Sequence, residues 1–414
     1  MSHQRWVICA LLFLATVIAY VDRGVLAYIK KFLEGVIPGL NDVNYGIVLA
    51  AFQAAYAIGM VVAGGLTDKL GTRKAFAIAI SIWSVAAMLP GAAFSVATFG
   101  VAMFFLGLGE AANFPACIKT VAEWFPKRER ALATGIFNSG ANFGNIVVPL
   151  VVPFLVAQFS WRGAFVATGA LGLVWLVFWL FNYRRPEEDS KVSSAELALI
   201  LSDPVEKIKR VPWSRVVPCK EAWAFAVGKF LTDPIWWFYL FWLPLYLQTT
   251  FHLSLKGCQL PLAAVYAIST VGSVYGGSIP ISLMNRGVSH NAARKIAMLV
   301  SALCVAPIFL APHLHQLWFV VAVVGLATAG HQGWSANLFT LPSDTFPKSA
   351  VASVVGIGGM AGAVGGVLLQ PATGLIVSVT HSYAPLFIIA CLAYPLALII
   401  IHAIAPRLAP ARLD

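Results

Sequence analysis

The chain has 414 residues, of which 59% are hydrophobic and 11% charged, with a mean hydropathy of +0.82 and a formal charge of +11. A soluble domain carries roughly 25% charged residues, so the composition excludes an ordinary soluble core. The positive balance does not point to nucleic acid, because the lysines and arginines stand in short loops between apolar runs.

Apolar windows of spanning length, about 20 residues each, recur from end to end. They place membrane helices at 6–29, 43–67, 73–93, 97–121, 131–157, 162–182, 221–249, 259–283, 292–312, 316–341, 350–377 and 383–405. This predicts an all-α polytopic membrane protein with 12 transmembrane helices in two six-helix halves. The expected domains are an N-terminal half over 1–182, a linker over 183–220 and a C-terminal half over 221–414. Ser193 and Glu196 form a capping-box pattern, so the linker is expected to hold a short interfacial helix.

The first apolar run continues into Asp22 and Arg23 with no small-residue cleavage site, so no cleaved signal peptide is expected. With the N-terminal side taken as inside, Arg5, Lys69, Arg73, Lys74, most of the central stretch, Arg294 and Lys295 fall inside. Lys30, Lys31, Arg162 and Lys256 fall outside. Both termini are therefore expected to be cytoplasmic. The six cysteines are scattered without CxxC spacing, and neither a disulfide framework nor a metal site is expected.

Asp22 and Arg23 lie side by side inside the first span, Arg23 about 25 Å along the helix from Trp6. Adjacent residues on a helix do not face each other, so each charge needs its own partner. Arginine is a planar, permanently charged fork that suits a carboxylate, either that of a bound anion or an acid on a neighbouring span. A buried carboxyl stripped of water holds a proton more readily, which makes Asp22 and Glu110 candidate proton carriers. The nearest basic residue on Glu110's own span is Lys119, about 13 Å along the axis.

On the seventh span Lys229 and Asp233 stand four apart on one face. They precede "PIWWFYLFW", where Trp236, Trp237 or Tyr239 could pack or could offer a flat aromatic face to a sugar ring. Tyr20, Gln53, Tyr56, Asn113, Asn138, Asn142, Gln332, Ser335 and Asn337 add hydroxyls and amides to the spans. Singly these could be interhelical glue. Together they suit a polyhydroxylated ligand, each of whose dehydrated hydroxyls needs a partner.

The loop "GGLTDKLGTRK" after the second span has a weaker echo in "GGSIPISLMNRGVSHNAARK" after the eighth. Such repeated halves, with a site between them at mid-membrane, are a common design of secondary transporters. "GIGGMAGAVGG" at 356–366 lacks a following Gly-Lys-Ser/Thr, so Gly358, Gly362 and Gly366 read as helix packing, as do Gly140 and Gly144.

The run Gly65–Lys74 resembles the signature loop of the major facilitator superfamily. "YVDR" on the first span, 107–144, 228–244 and "HQGWSANLFTLPSD" resemble its anion:cation symporter family, in particular the bacterial hexuronate proton symporters. The resemblance implies that Arg23 recognises a substrate carboxylate, aided by Lys229, and that Asp22 and Glu110 couple protons. It implies a conformational latch at Asp68 and Arg73 on the cytoplasmic side. Related organic-anion transporters often carry a second arginine seven residues before the glutamate; Met103 stands there, which leaves Arg23 without that charge partner.

The expected function is proton-coupled import of a hexuronate, glucuronate or galacturonate, across the bacterial inner membrane by alternating access. No cofactor beyond the proton is expected, no nucleic acid partner and no enzymatic activity, and a single chain should suffice. The alternatives are a symporter or exchanger for another sugar acid, such as an aldonate or aldarate, and a transporter-like sensor that moves no cargo.

Overall fold

The computed structural model describes residues 3–202 and 213–411, with the side chains at 61, 64, 65, 68, 127, 131, 213, 348, 349 and 352 left aside. Every regular element among these residues is helical. In hydrocarbon each backbone N–H and C=O must find a partner within its own segment, which a helix provides.

In chain order the helices are α1 (Gln4–Leu33), α2 (Asp42–Leu70), α3 (Thr72–Met88), α4 (Val96–Glu110), α5 (Asn113–Trp124), α6 (Lys127–Asn182), α7 (Ser194–Ile200), α8 (Trp213–Val216), α9 (Lys220–Thr250), α10 (Gln259–Asn285), α11 (His290–Val305), α12 (Leu317–Leu338), α13 (Leu341–Thr345), α14 (Lys348–Thr380) and α15 (Ala384–Ile404). Among the described residues, ten helical stretches are long and apolar enough to cross a membrane. One of them holds most of α6, whose 56 residues would run about 84 Å if straight, far beyond a 30 Å hydrocarbon core. It breaks at Ser160, where φ is 65° and ψ 173°, a positive φ that only a turn imposes on serine. Its two arms make two spans. The twelfth is α9, whose tryptophans, tyrosines and prolines hold down its mean hydropathy without shortening its 31 residues.

The chain divides into two compact units, one of Met1–Gly39 and Ala51–Lys207, the other of Leu40–Ala50 and Ile208–Asp414. The division falls inside the stretch 183–220, whose first part packs on the first unit. There the buried Glu196 of α7 takes the backbone N–H groups of Gln4 and Arg5, both at 3.3 Å, and the Arg5 guanidinium at 3.0 Å. Two of the orphan donors at the start of α1 are thereby satisfied by a linker carboxylate. Ser193 caps α7 as its sequence pattern suggests.

Within the first unit α1 packs along α6, and α3 along α6 and α4. A Cβ on Gly140 would lie 2.6 Å from the Phe13 carbonyl oxygen, and one on Gly144 2.7 Å from Tyr20 Cβ. The two glycines thus let α1 and α6 touch backbone to backbone. In the second unit α10 packs on α12, and α14 and α15 on α9. Gly358 and Gly362 face Phe225 and Asp233 of α9, and Gly365 lies against Phe230 and Pro234 in the same seam.

The echoed loops turn on Gly71 and Gly287, with φ of 77° and 86°, where a side chain would be strained. In the first unit Thr72 donates to Glu123 at 2.7 Å, and Tyr183 donates to the other Glu123 oxygen. In the second, Arg294 reaches Asp344 at 3.0 Å, and Lys295 reaches the carbonyls of Ala405 and Pro406 at 3.0 and 2.6 Å.

Candidate functional site

The polar residues of the first unit gather where α4 breaks. Pro115 has no N–H to donate to the Ala111 carbonyl, so the fourth span is interrupted between α4 and α5. Glu110 is the last residue of α4 and is 1% exposed. A carboxylate at a helix C-terminus sits at the unfavourable end of the helix dipole and needs an external cation. Arg23 of α1, 5% exposed, supplies it through a hydrogen-bonded ion pair with Glu110 Oε2. Of the two partners that the sequence leaves open for Arg23, a bound anion or an acid on a neighbouring span, the structure shows the acid. Met103 is buried and apolar, and Glu110 itself meets the guanidinium.

Aromatic rings complete the Arg23 cage. Its Cζ lies 4.3 Å from the ring centroid of Tyr20, 5.5 Å from that of Phe52 and 5.7 Å from that of Tyr56. Each ring presents a negative face to the cation. The second oxygen of Glu110, Oε1, has no hydrogen-bond donor among the described residues. Asp22 is buried close by, with Glu110, Arg23 and the Thr168 hydroxyl of α6 as its neighbours. The Gln53 amide is fully buried with both ends unsatisfied. Buried polar groups without partners are rare in native proteins, so this cluster calls for an explanation.

Other predicted residues are placed differently. Asn113 donates to Thr16 at 3.3 Å and is part of the α1–α5 packing. Asn138 is exposed and Asn142 half-buried on α6. Arg73 donates to the Leu180 carbonyl, while the side chain of Asp68, its expected latch partner, lies outside the described residues. The acid that meets this loop is Glu123, which the sequence reading did not single out.

In the second unit Lys229 and Asp233 pair at 2.7 Å along α9, as their spacing predicts. Lys229 Nζ also sits 4.1 Å from the Phe339 ring centroid. The Asp233 carboxylate fills the space left by Gly362. Asn337 gives its amide hydrogens to the carbonyls of Gly276 and Gly333, both at 2.8 Å, and so ties α12 to α10. Gln332 and Ser335 are half-buried on α12, and Trp237 stacks on Phe241 with planes 10° apart.

His331 was overlooked by the sequence reading. It is buried on α12, stacked on Trp236 and hydrogen-bonded to Tyr394 of α15. A signal for it existed. "EWFPK" at 123–127 is echoed by "DTFPK" at 344–348, and His331 stands as far ahead of Asp344 as Glu110 stands ahead of Glu123.

The first unit thus holds a buried guanidinium paired with Glu110 and ringed by aromatic side chains, and the second a lysine paired with Asp233 beside Phe339. The family model described as Major Facilitator Superfamily matches residues 12–370. The "Hexuronate transporter" of Escherichia coli K12 is 30% identical over 397 residues, covering 92% of this chain and 90% of the relative. The "Probable galactarate/D-glucarate transporter GarP" of the same organism is 29% identical over 414 residues, 94% and 92% of the two chains. The "Galacturonate transporter" of Dickeya chrysanthemi is 30% identical over 305 residues, 72% and 88%. Among solved structures, the inward-open xylose transporter XylE of E. coli superposes with a TM-score of 0.76 at 15% identity, covering 99% of this chain and 97% of that one. On these grounds the chain belongs to the Major Facilitator Superfamily, as a multi-pass membrane transporter and not an enzyme.

Proposed function

We propose that this transporter imports a hexuronate, glucuronate or galacturonate, across the bacterial inner membrane by proton symport and alternating access, with both termini cytoplasmic and one chain sufficient. The observation that carries this reading is the buried Arg23–Glu110 pair. Breaking a buried ion pair by removing one partner leaves an uncompensated charge at a cost of about 3–5 kcal/mol. A substrate carboxylate can replace Glu110 on the guanidinium without that cost, provided Glu110 takes up a proton as it leaves. Substrate binding and protonation are thereby linked through one residue. Asp22, a buried carboxyl beside Glu110 and Arg23, is the second candidate proton carrier. Arg23 is the carboxylate-recognising residue, and Lys229 is a further electrostatic contact to substrate.

A second reading, uptake of an open-chain aldarate, is favoured by the relatives named as galactarate/D-glucarate transporters at 29–30% identity. Uptake of labelled glucuronate into proteoliposomes, with and without an inward proton gradient and with galacturonate, galactarate and galactonate as competitors, tests both readings. Gradient-driven accumulation competed mainly by uronates supports the first; competition mainly by aldarates supports the second. Uptake that only equilibrates, whatever the gradient, removes the proton-coupling roles of Asp22 and Glu110.

A further inference from the structure

The second unit holds a clamp that the charge-pair reading does not use. His331, 4% exposed, stacks on Trp236 with ring centroids 4.9 Å and planes 8° apart. Its Nδ1 is 2.6 Å from the hydroxyl of Tyr394, which is fully buried on α15. The imidazole is therefore held by a face contact on α9 and a hydrogen bond on α15. The indole of Trp236 is fixed in turn, yet Trp236 itself stays half-exposed.

Two facts distinguish Trp236 from a membrane-interface anchor. Interfacial tryptophans gather at span ends, whereas Trp236 is mid-way along Lys220–Thr250. It also follows Lys229 and Asp233 at i+7 and i+3, and so shares their helix face. The Asp233 side chain is 20% exposed, and a charged group at mid-span faces protein or water rather than lipid. That face of α9 thus presents a cation, an acid and then a fixed aromatic plane, with about 4.5 Å of helix rise between Asp233 and Trp236.

We propose that Trp236 is the residue that reads the ring of the cargo, and that His331 and Tyr394 are positioning residues that hold its plane. The inference rests on the sugar-acid reading above. A uronate in its pyranose form offers a persistent apolar face of C–H groups, which an indole covers while the rim hydroxyls remain free for polar partners. An open-chain aldarate has no persistent flat face and gains little from a rigid plane. Trp236 would therefore set the preference for cyclic over linear sugar acids.

The test is equilibrium binding of glucuronate and of galactarate to the purified full-length protein. Trp236→Ala should weaken glucuronate about five- to tenfold while galactarate changes less than about twofold. Trp236→Phe, which keeps a ring, should recover most of the loss. Tyr394→Phe, which removes only the hydrogen bond to His331, should lower the glucuronate-to-galactarate preference by about two- to threefold with unchanged galactarate affinity. Equal loss of both ligands in Trp236→Ala and Trp236→Phe would assign the tryptophan to packing and overturn the proposal, as would an unchanged preference. If the unaltered protein binds neither ligand, the sugar-acid reading itself falls, and this inference with it. If it binds glucuronate and the variants leave the preference unmoved, only the inference falls.

Discussion

The two units solve the same physical problem, an ionisable pair in hydrocarbon, in opposite ways. Arg23 and Glu110 are 87 residues apart and meet only because α1 packs beside the break in the fourth span. Lys229 and Asp233 are four apart on one helix and meet wherever α9 is helical. A pair held by tertiary packing can be parted by a small shift of one helix, or by a competing carboxylate. A pair held by helical geometry persists through any movement of the unit as a body. The difference fits the proposed switching role of the first pair and a standing contact in the second.

The sharpest way to break that contrast is Arg23→Ala. Saturable uptake should be abolished, and the stranded Glu110 should destabilise the protein by about 3–5 kcal/mol, read as a lowered Tm. Arg23→Lys should restore little, since a point charge cannot reproduce the planar fork within its aromatic cage. Unchanged substrate affinity in Arg23→Ala would remove this residue from the site.

Glu110→Gln comes next. It keeps the shape and an acceptor for Arg23 but cannot take up a proton. Gradient-driven accumulation should fall about tenfold or more, while exchange of external for internal substrate continues. Loss of both together would make Glu110 structural.

At the loops, Glu123→Gln and Asp344→Asn each remove a charge that organises an inter-span turn. Each should lower transport about two- to fivefold with substrate affinity unchanged, checked by initial rates over a range of substrate concentrations. Lys229→Ala should destabilise less than Arg23→Ala, because Asp233, the acid it leaves behind, is 20% exposed whereas Glu110 is fully buried. Its effect should appear instead as a few-fold loss of substrate affinity. If Lys229→Ala proved as destabilising as Arg23→Ala, the division between a switchable and a standing pair would fail.

Much of this architecture was legible before any coordinates. Predicted spans such as 43–67 and 259–283 fall within α2 and α10, because a helix end is announced by where apolar residues stop. The α4–α5 break was not anticipated, although Pro115 stands beside it, because prolines also occur inside unbroken helices such as Pro244 of α9. The polar residues were harder still. Asn337 read as a ligand contact and proved to bind backbone carbonyls of α10 and α12, while His331 was marked only by the distant echo between the two halves.

Amino-acid order by itself determined the number of spans, the α7 cap at Ser193, the turns at Gly71 and Gly287 and the Lys229–Asp233 pair. Each depends on neighbours within a few residues and on the bilayer's demand for about 20 apolar residues per crossing. Tertiary structure alone decided that Arg23 meets Glu110, that His331 lies between Trp236 and Tyr394, and that Glu123 receives Thr72. The reason is that lipid-facing and helix-facing positions of a span are both apolar. The pattern that in a soluble helix marks the buried face is therefore weak, and a buried polar group finds its partner only when the helices have packed.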